Sequence, residues 1–378
     1  MNILITGAEG FMGRNLREAL YQRPGAQHDT FALIDVRSPE AELRAAARVA
    51  DFVFHLAGVN RPEDPADFMR GNGGFTETLL AMLEEGKRPP VLLSSSTQAA
   101  MQNPYGESKR AAEQAVRDYG LRSGVPVLIY RMTNAFGKWS RPNYNSAVAT
   151  FCHNIARGLP ISLSDPEAML RLNYIDDICA EFIRALNGHP TREGDFCAVH
   201  PVHEIKLGDL SALLNTFHSG RDALDVPDQS DPFVRKLFAT YLSFLPPDDF
   251  ARPTVTHADE RGSFTELMHM GGHGQVSVNV SRPHVAKGDH WHHTKHEKFI
   301  VLAGEGVIRL RKIGDGTILS YRVSGDTPMA VDIPPGYTHS IENLGDTDML
   351  TLMWANERFC PEAPDTVRLP VDSERGKS

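Results

Sequence analysis

Gly7-Ala8-Glu9-Gly10-Phe11-Met12-Gly13 decides how the first half of this chain is read. The apolar run Asn2–Thr6 precedes it, and the amphipathic stretch Arg14–Tyr21 follows. Strand, glycine turn and helix in that order let backbone N–H groups approach a pyrophosphate at the helix N-terminus. An acidic residue, Asp35, ends the next apolar run 22 residues after Gly13, as dinucleotide-binding turns require. Gly7, Gly10, Phe11, Met12 and Gly13 are therefore the candidate pyrophosphate contacts. Asp35 suits a ribose 2′-hydroxyl and so NAD(H), whereas Arg14 and Arg37 suit a 2′-phosphate and so NADP(H). The residues alone leave that choice open.

Outward from this turn, short apolar runs alternate with helical patterns to about residue 200. Strands are predicted at Thr30–Asp35, Phe52–Leu56, Val91–Ser95 and Val125–Tyr130, with helices over Phe75–Leu83 and Gly106–Tyr119. Continuous apolar strands alternating with helices imply a doubly wound α/β domain with a parallel sheet. Pro246-Pro247-Asp248-Asp249 reads as a linker, which gives domains 1–246 and 247–378. After it, short strands separated by Gly and Pro turns imply an all-β barrel or jelly roll.

Composition excludes several functions. A net charge of −9 over 378 residues leaves no basic face for nucleic acid. No apolar run approaches the ~20 residues of a membrane span, and the first residues lack the features of a signal peptide. Cys152, Cys179, Cys197 and Cys360 are scattered, as in reduced, packed thiols, so a cytoplasmic protein is expected. The tail Asp372–Ser378 is expected to be disordered.

Two constellations carry chemistry. Tyr105 and Lys109 lie one helical turn apart at a helix start, where an ammonium favours a phenolate and suits Tyr105 as proton donor to a carbonyl. Ser94-Ser95-Ser96-Thr97 ends the preceding strand, and Ser96 is favoured over Ser95 to hold the substrate oxygen. In the second half, His290 and His292 point to one face of a strand. Glu297 returns after a turn, and His339 arrives from a distant strand. Three imidazoles and a carboxylate suit a divalent metal, zinc first, with Fe, Mn, Ni and Cu also accommodated.

The glycine turn, His55-Leu56-Ala57-Gly58, Asn72, the serine run with Tyr105 and Lys109, and Arg131–Gly137 resemble the extended short-chain dehydrogenase/reductases acting on nucleotide sugars. The resemblance implies cofactor contacts at Leu56, Ala57 and Gly58 and a ribose contact at Lys109. It departs in the loop from Ser96 to Tyr105, which is shorter than usual. Gln98-Ala99 stand where sugar dehydratases carry an Asp-Glu pair, so dehydration is not expected. His-x-His with Glu297 and Gly304, then Pro334-x-Gly336 with His339 and Asn343, resemble the two cupin motifs. Lys287-Gly288-Asp289-His290 and Lys298 also resemble deoxysugar 3,5-epimerases of rhamnose synthesis, which leaves His290 open as metal ligand or base.

The two halves in this order, with Asn60-Arg61-Pro62, Lys138-Trp139 and Pro142–Ser146, resemble a bifunctional capsular polysaccharide family. That resemblance implies C3 epimerisation and NADPH-dependent C4 reduction of a UDP-2-acetamido-2,6-dideoxy-4-hexulose, on the route to UDP-N-acetyl-L-fucosamine, by a homodimer. The rival readings are an NAD-dependent C4 epimerase with a cupin used for dimerisation, and a non-enzymatic dinucleotide sensor.

Overall fold

The computed structural model describes residues 1–360, 362 and 364–372; the tail beyond Asp372 lies outside the described residues. The chain forms two compact units. One comprises Met1–Asn215 with Lys236–Pro246, the other Thr216–Arg235 with Pro247–Ser378.

In the first unit, β1 (Asn2–Thr6), β2 (Thr30–Ile34), β3 (Phe52–His55), β4 (Val91–Ser96) and β5 (Val127–Met132) form a parallel sheet in the order β2-β1-β3-β4-β5. Phe196–Cys197 and Arg192–Glu193 extend it beyond β5. Strand alternation divides β1 between two cores. Ile3 and Ile5 pack with Leu16, Leu20, Ile178 and Phe182 on one face, while Leu4 packs with Leu43, Leu79, Leu83 and Val116 on the other. Both faces are covered, as a sheet of continuously apolar strands requires. The order reverses at β1, whose neighbours β2 and β3 diverge, and that crevice at the strands' carboxyl ends is where such sheets bind ligands.

Helix α1 (Phe11–Gln22) opens at this crevice. Gly7 takes φ 70°, and a Cβ there would sit 2.7 Å from the Ala57 nitrogen at the end of β3. A Cβ on Gly13 would collide with the Gly7 carbonyl oxygen. These two residues let α1 lie directly on the strand ends.

The second unit is a double sheet. One sheet has the order Asp225–Val226, Gly262–Met270, Gln275–Ser281, Met349–Ala355, Glu297–Ala303, Ala330–Ile333. The other runs Ile318–Ser324, Glu305–Lys312, Tyr337–Asn343, Ala286–Trp291, Val367–Arg368. Phe299, Val301, Ile308, Leu310, Val331, Ile333 and Ile341 form the apolar core of this jelly roll.

The expected division keeps residues 216–235 with the first half. In the structure they go with the barrel, because Asp225 and Val226 add a parallel strand to the edge of Gly262–Met270. The buried His269 Nδ1 also hydrogen-bonds the Ala223 carbonyl at 2.8 Å.

Replacing Gly13 with Ala forces α1 off β1. It is expected to lower stability by roughly 1–3 kcal/mol, as overpacking does. A urea denaturation midpoint equal to the wild type's would contradict the close approach.

Candidate functional site

The turn from Gly7 to Gly13 is built to receive an anion. Gly10 gives α1 no side-chain cap, and the helix has no acidic residue in its first turn. Its first N–H groups are therefore available to a phosphate. Asp35 sits beside the turn, where its oxygens accept the Glu9 N–H at 3.0 Å and the Val36 N–H at 2.7 Å. Arg14 lies 3.8 Å from Glu9 and is half-exposed. Arg37 is exposed and carries no ion pair among the described residues.

The helix Pro104–Ser123 carries Tyr105 and Lys109. Asn103 caps it by accepting the Gly106 N–H at 2.8 Å, and Pro104 occupies its first position. That start puts Tyr105 and Lys109 on one face, with the Lys109 Nζ 5.7 Å from the Tyr105 ring centroid. Lys109 is 6% exposed and donates to the Ser94 carbonyl at 3.3 Å. Burial lowers its pKa to about 8, against the pull of Glu113 one turn further on. A Cβ on Gly58 would lie 3.1 Å from that ammonium, so Leu56-Ala57-Gly58 passes directly over it. Burial raises the Tyr105 pKa and the Ser96 hydroxyl opposes the rise, so the phenol is held protonated.

The three serines separate by role. Ser95 donates to the buried Glu113 at 2.5 Å, and Glu113 also accepts Arg131 at 2.6 and 2.9 Å. Ser94 faces Met12. Ser96 caps the following turn through the Gln98 N–H at 3.1 Å and lies beside Tyr105, which leaves it as the serine next to the phenol. The short loop after it is closed by Arg110, which donates to the Ala99 and Met101 carbonyls at 2.6 Å each.

Two residues escaped the sequence reading as parts of this site. The Tyr105 hydroxyl donates to Asn60 Oδ1 at 3.1 Å. Glu113, four residues after Lys109, was masked by its place in a charged helix. Asn72 accepts the Val59 N–H at 2.8 Å and donates to Ser108 at 2.9 Å.

In the barrel, His290, His292, Glu297 and His339 come together, with one ligand atom from each lying within 4.8 Å of all the others. Glu297 Oε2 stands 3.2 Å from His339 Nε2 and 3.5 Å from His292 Nε2, yet none of these three buried atoms has a hydrogen-bond partner of proper geometry among the described residues. Converging buried acceptors without donors fit a cation. The His292 Nδ1–H donates to the Asp365 carbonyl, which leaves the lone pair on Nε2 facing the cluster. Burial, then neighbouring His339, pushes His290 down to about 4, so its imidazole is neutral at pH 7. Burial favours protonation of Glu297, but His292 and His339 hold its carboxyl well below the usual carboxylate range.

Asp365 was also missed. Its carboxylate accepts the His293, Thr294 and Lys295 N–H groups at 2.8, 2.8 and 2.9 Å, shaping the ligand loop. Lys298 faces outward and pairs with the exposed Asp332, because it alternates with the inward Glu297.

A cavity of about 300 Å³ opens beside the cluster. Phe264, Trp354 and Phe359 line it together with Gln275, Ser277, Asn279 and Lys287.

Both halves of the chain are similar to known proteins. Residues 3–195 match the NAD dependent epimerase/dehydratase family, and residues 257–367 match the polysaccharide biosynthesis C-terminal domain. The UDP-2-acetamido-2,6-beta-L-arabino-hexul-4-ose reductase of Pseudomonas aeruginosa is 42% identical over 98% of this chain and 99% of its own. The spore coat polysaccharide biosynthesis protein SpsL of Bacillus subtilis is 29% identical, over 32% of this chain and 86% of its own. Among solved structures, the capsular polysaccharide assembling protein CapF of Staphylococcus aureus superimposes with a TM-score of 0.91 and 49% identity, over 98% of this chain and all of that one.

Replacing Asp365 with Ala frees the ligand loop. Affinity for Zn²⁺, measured by chelator competition, should fall by about 10-fold, the low end for outer-shell changes, because Ala keeps the carbonyl that orients His292; an unchanged affinity would deny the carboxylate this role.

Proposed function

This chain belongs to the NAD dependent epimerase/dehydratase family, and over its whole length to that of the hexulose reductase, and from that premise we propose that it reduces C4 of a UDP-2-acetamido-2,6-dideoxy-4-hexulose with NADPH after the barrel has inverted C3, towards UDP-N-acetyl-L-fucosamine. As a nicotinamide-dependent nucleotide-sugar reductase it needs a hydride donor, a proton donor and a group that orients the ketone. The buried Lys109 ammonium beside a protonated Tyr105, next to Ser96, carries the reading.

A reduced nicotinamide cofactor, held through its pyrophosphate at the glycine turn, would supply the hydride to C4. Tyr105 then protonates the sugar oxygen, Ser96 orients it, and Lys109 stabilises the phenolate left behind. Asn60 accepts the phenol O–H, so the proton must swing from Asn60 to the sugar oxygen when the ketone arrives. Two features support NADPH over NADH. Asp35 is engaged by two backbone N–H groups, and Arg14 and Arg37 are exposed beside the turn.

In the barrel, His290, His292, Glu297 and His339 would hold a divalent metal, zinc first, which supplies Lewis acidity. The 4-keto group acidifies the C3 proton, so inversion precedes a reduction that removes the ketone. A cavity lined by aromatic and polar side chains supports a sugar there.

Tyr105→Phe should lower NADPH consumption by at least about 10²-fold, the lower end of acid–base contributions, while solvent deuterium still enters C3. Reduction of the keto sugar at the wild-type rate would overturn the assignment. The pH profile gives a second check. The cation of Lys109 is present below a folded pKa of about 8 and lost above it, so kcat/KM should fall as pH rises through that value. Lys109→Met should remove this alkaline limb along with most activity; an unchanged limb would assign it to another group.

A further inference from the structure

Lys287 enters the barrel by a register fault. Its strand, Ala286–Trp291, pairs with Tyr337–Asn343 so that Gly288 opposes Ser340 while His290 opposes His339. Asp289 is the extra residue, at φ 56°. Plain alternation from His290 would turn Lys287 outward. The bulge restores it to the inner face, opposite Ile341, which like His290 lines the cavity.

There Lys287 meets a polar wall. Along Gln275–Ser281 the buried face is Gln275, Ser277, Asn279 and Ser281, each at most 5% exposed. The Lys287 Nζ donates to Asn279 Oδ1 at 2.9 Å and to the Val280 carbonyl at 2.8 Å. An ammonium has three donors. Two are fixed on acceptors of the wall, and the third remains for whatever enters the cavity. Lys298, on the next strand in sequence, Glu297–Ala303, is ion-paired on the outside. Lys295 is drawn to Glu297 at 3.3 Å.

We propose that Lys287 is a catalytic residue of the barrel, whose remaining N–H binds the C4 ketone oxygen of the keto sugar and holds the enolate formed when C3 is deprotonated. This rests on the reading of the barrel as the C3 epimerase. The C3–H bond breaks and its proton passes to a base in exchange with water. The electron pair forms the C3=C4 double bond, and the carbonyl π pair moves onto oxygen, beside Lys287. Protonation of C3 from the opposite face returns that pair to the carbonyl, so nothing is oxidised or reduced. A donor fixed in advance at the developing oxyanion accelerates the step, because no reorganisation accompanies the charge.

The test uses the full-length, Zn²⁺-loaded protein with the UDP-4-keto sugar in deuterated water without NADPH, reading label at C3 by NMR. The wild type should exchange. Lys287→Met should exchange ~10²–10³-fold more slowly, the range found on removing one oxyanion donor, with unchanged metal content and Tm. Lys287→Arg, which keeps a cation, should recover a large part of the rate. If the wild type exchanges and Lys287→Met matches it, the lysine has no such role while the epimerase reading stands. A loss accompanied by lost metal or a lowered Tm makes Lys287 part of the scaffold and also overturns the proposal. Absence of exchange in the wild type removes the epimerase reading, and this inference with it.

Discussion

A buried ammonium constrains the first unit more than any other group. Lys109 has almost no access to solvent, and an isolated charge in such a place would cost several kcal/mol or shed its proton. Its surroundings answer that cost. The Ser94 carbonyl accepts from it, Glu113 lies one turn along, and the backbone at Gly58 passes without a Cβ to displace it. Glu113 in turn is held by Ser95 and Arg131, so the carboxyl ends of β4 and β5 are tied to the same helix. His55 shows the reach of the field: burial, and then the Lys109 charge, bring its pKa to about 3, and it stays neutral between Thr6 and Thr76.

The barrel is organised by the opposite problem, an excess of acceptors. Lone pairs of three imidazoles and a carboxylate meet where no donor of proper geometry reaches them among the described residues. The polar strand beside them is equally unusual for an interior, since Gln275, Ser277, Asn279 and Ser281 are buried while Val276, Val278 and Val280 are less so. Their side chains satisfy one another along the strand, Gln275 to Ser277 and Asn279 to Ser281. Polar groups so arranged are at home in a wet cavity that admits a sugar, and out of place in a packed core.

Much of this was legible in the residues. The glycine turn, the Tyr105–Lys109 spacing and the histidine motifs are local patterns, and local patterns survive the loss of tertiary context. Gln275–Ser281 misleads because its alternation is regular but inverted, so the usual rule would bury the valines. Lys287 was illegible because a single extra residue changes which face it occupies. Asp365 lies 73 positions from His292, and a carbonyl accepting from an imidazole leaves no mark on composition. Asn60 was quoted for resemblance alone, since only the folded chain brings it to the phenol. The segment 216–235 joined the barrel through a two-residue strand too short for any periodicity.

The ligand loop has a history in time as well as a shape. Its imidazoles belong to residues 290–339, yet the carboxylate and carbonyl that set the loop and orient His292 come from Asp365. During synthesis the four ligands therefore leave the ribosome before the residue that aligns them. A cation meeting the chain at that stage would find donors that Asp365 has not yet aligned. The donor set is therefore complete in sequence before it is aligned in space, and the alignment waits for Asp365 to fold back onto residues 293–295.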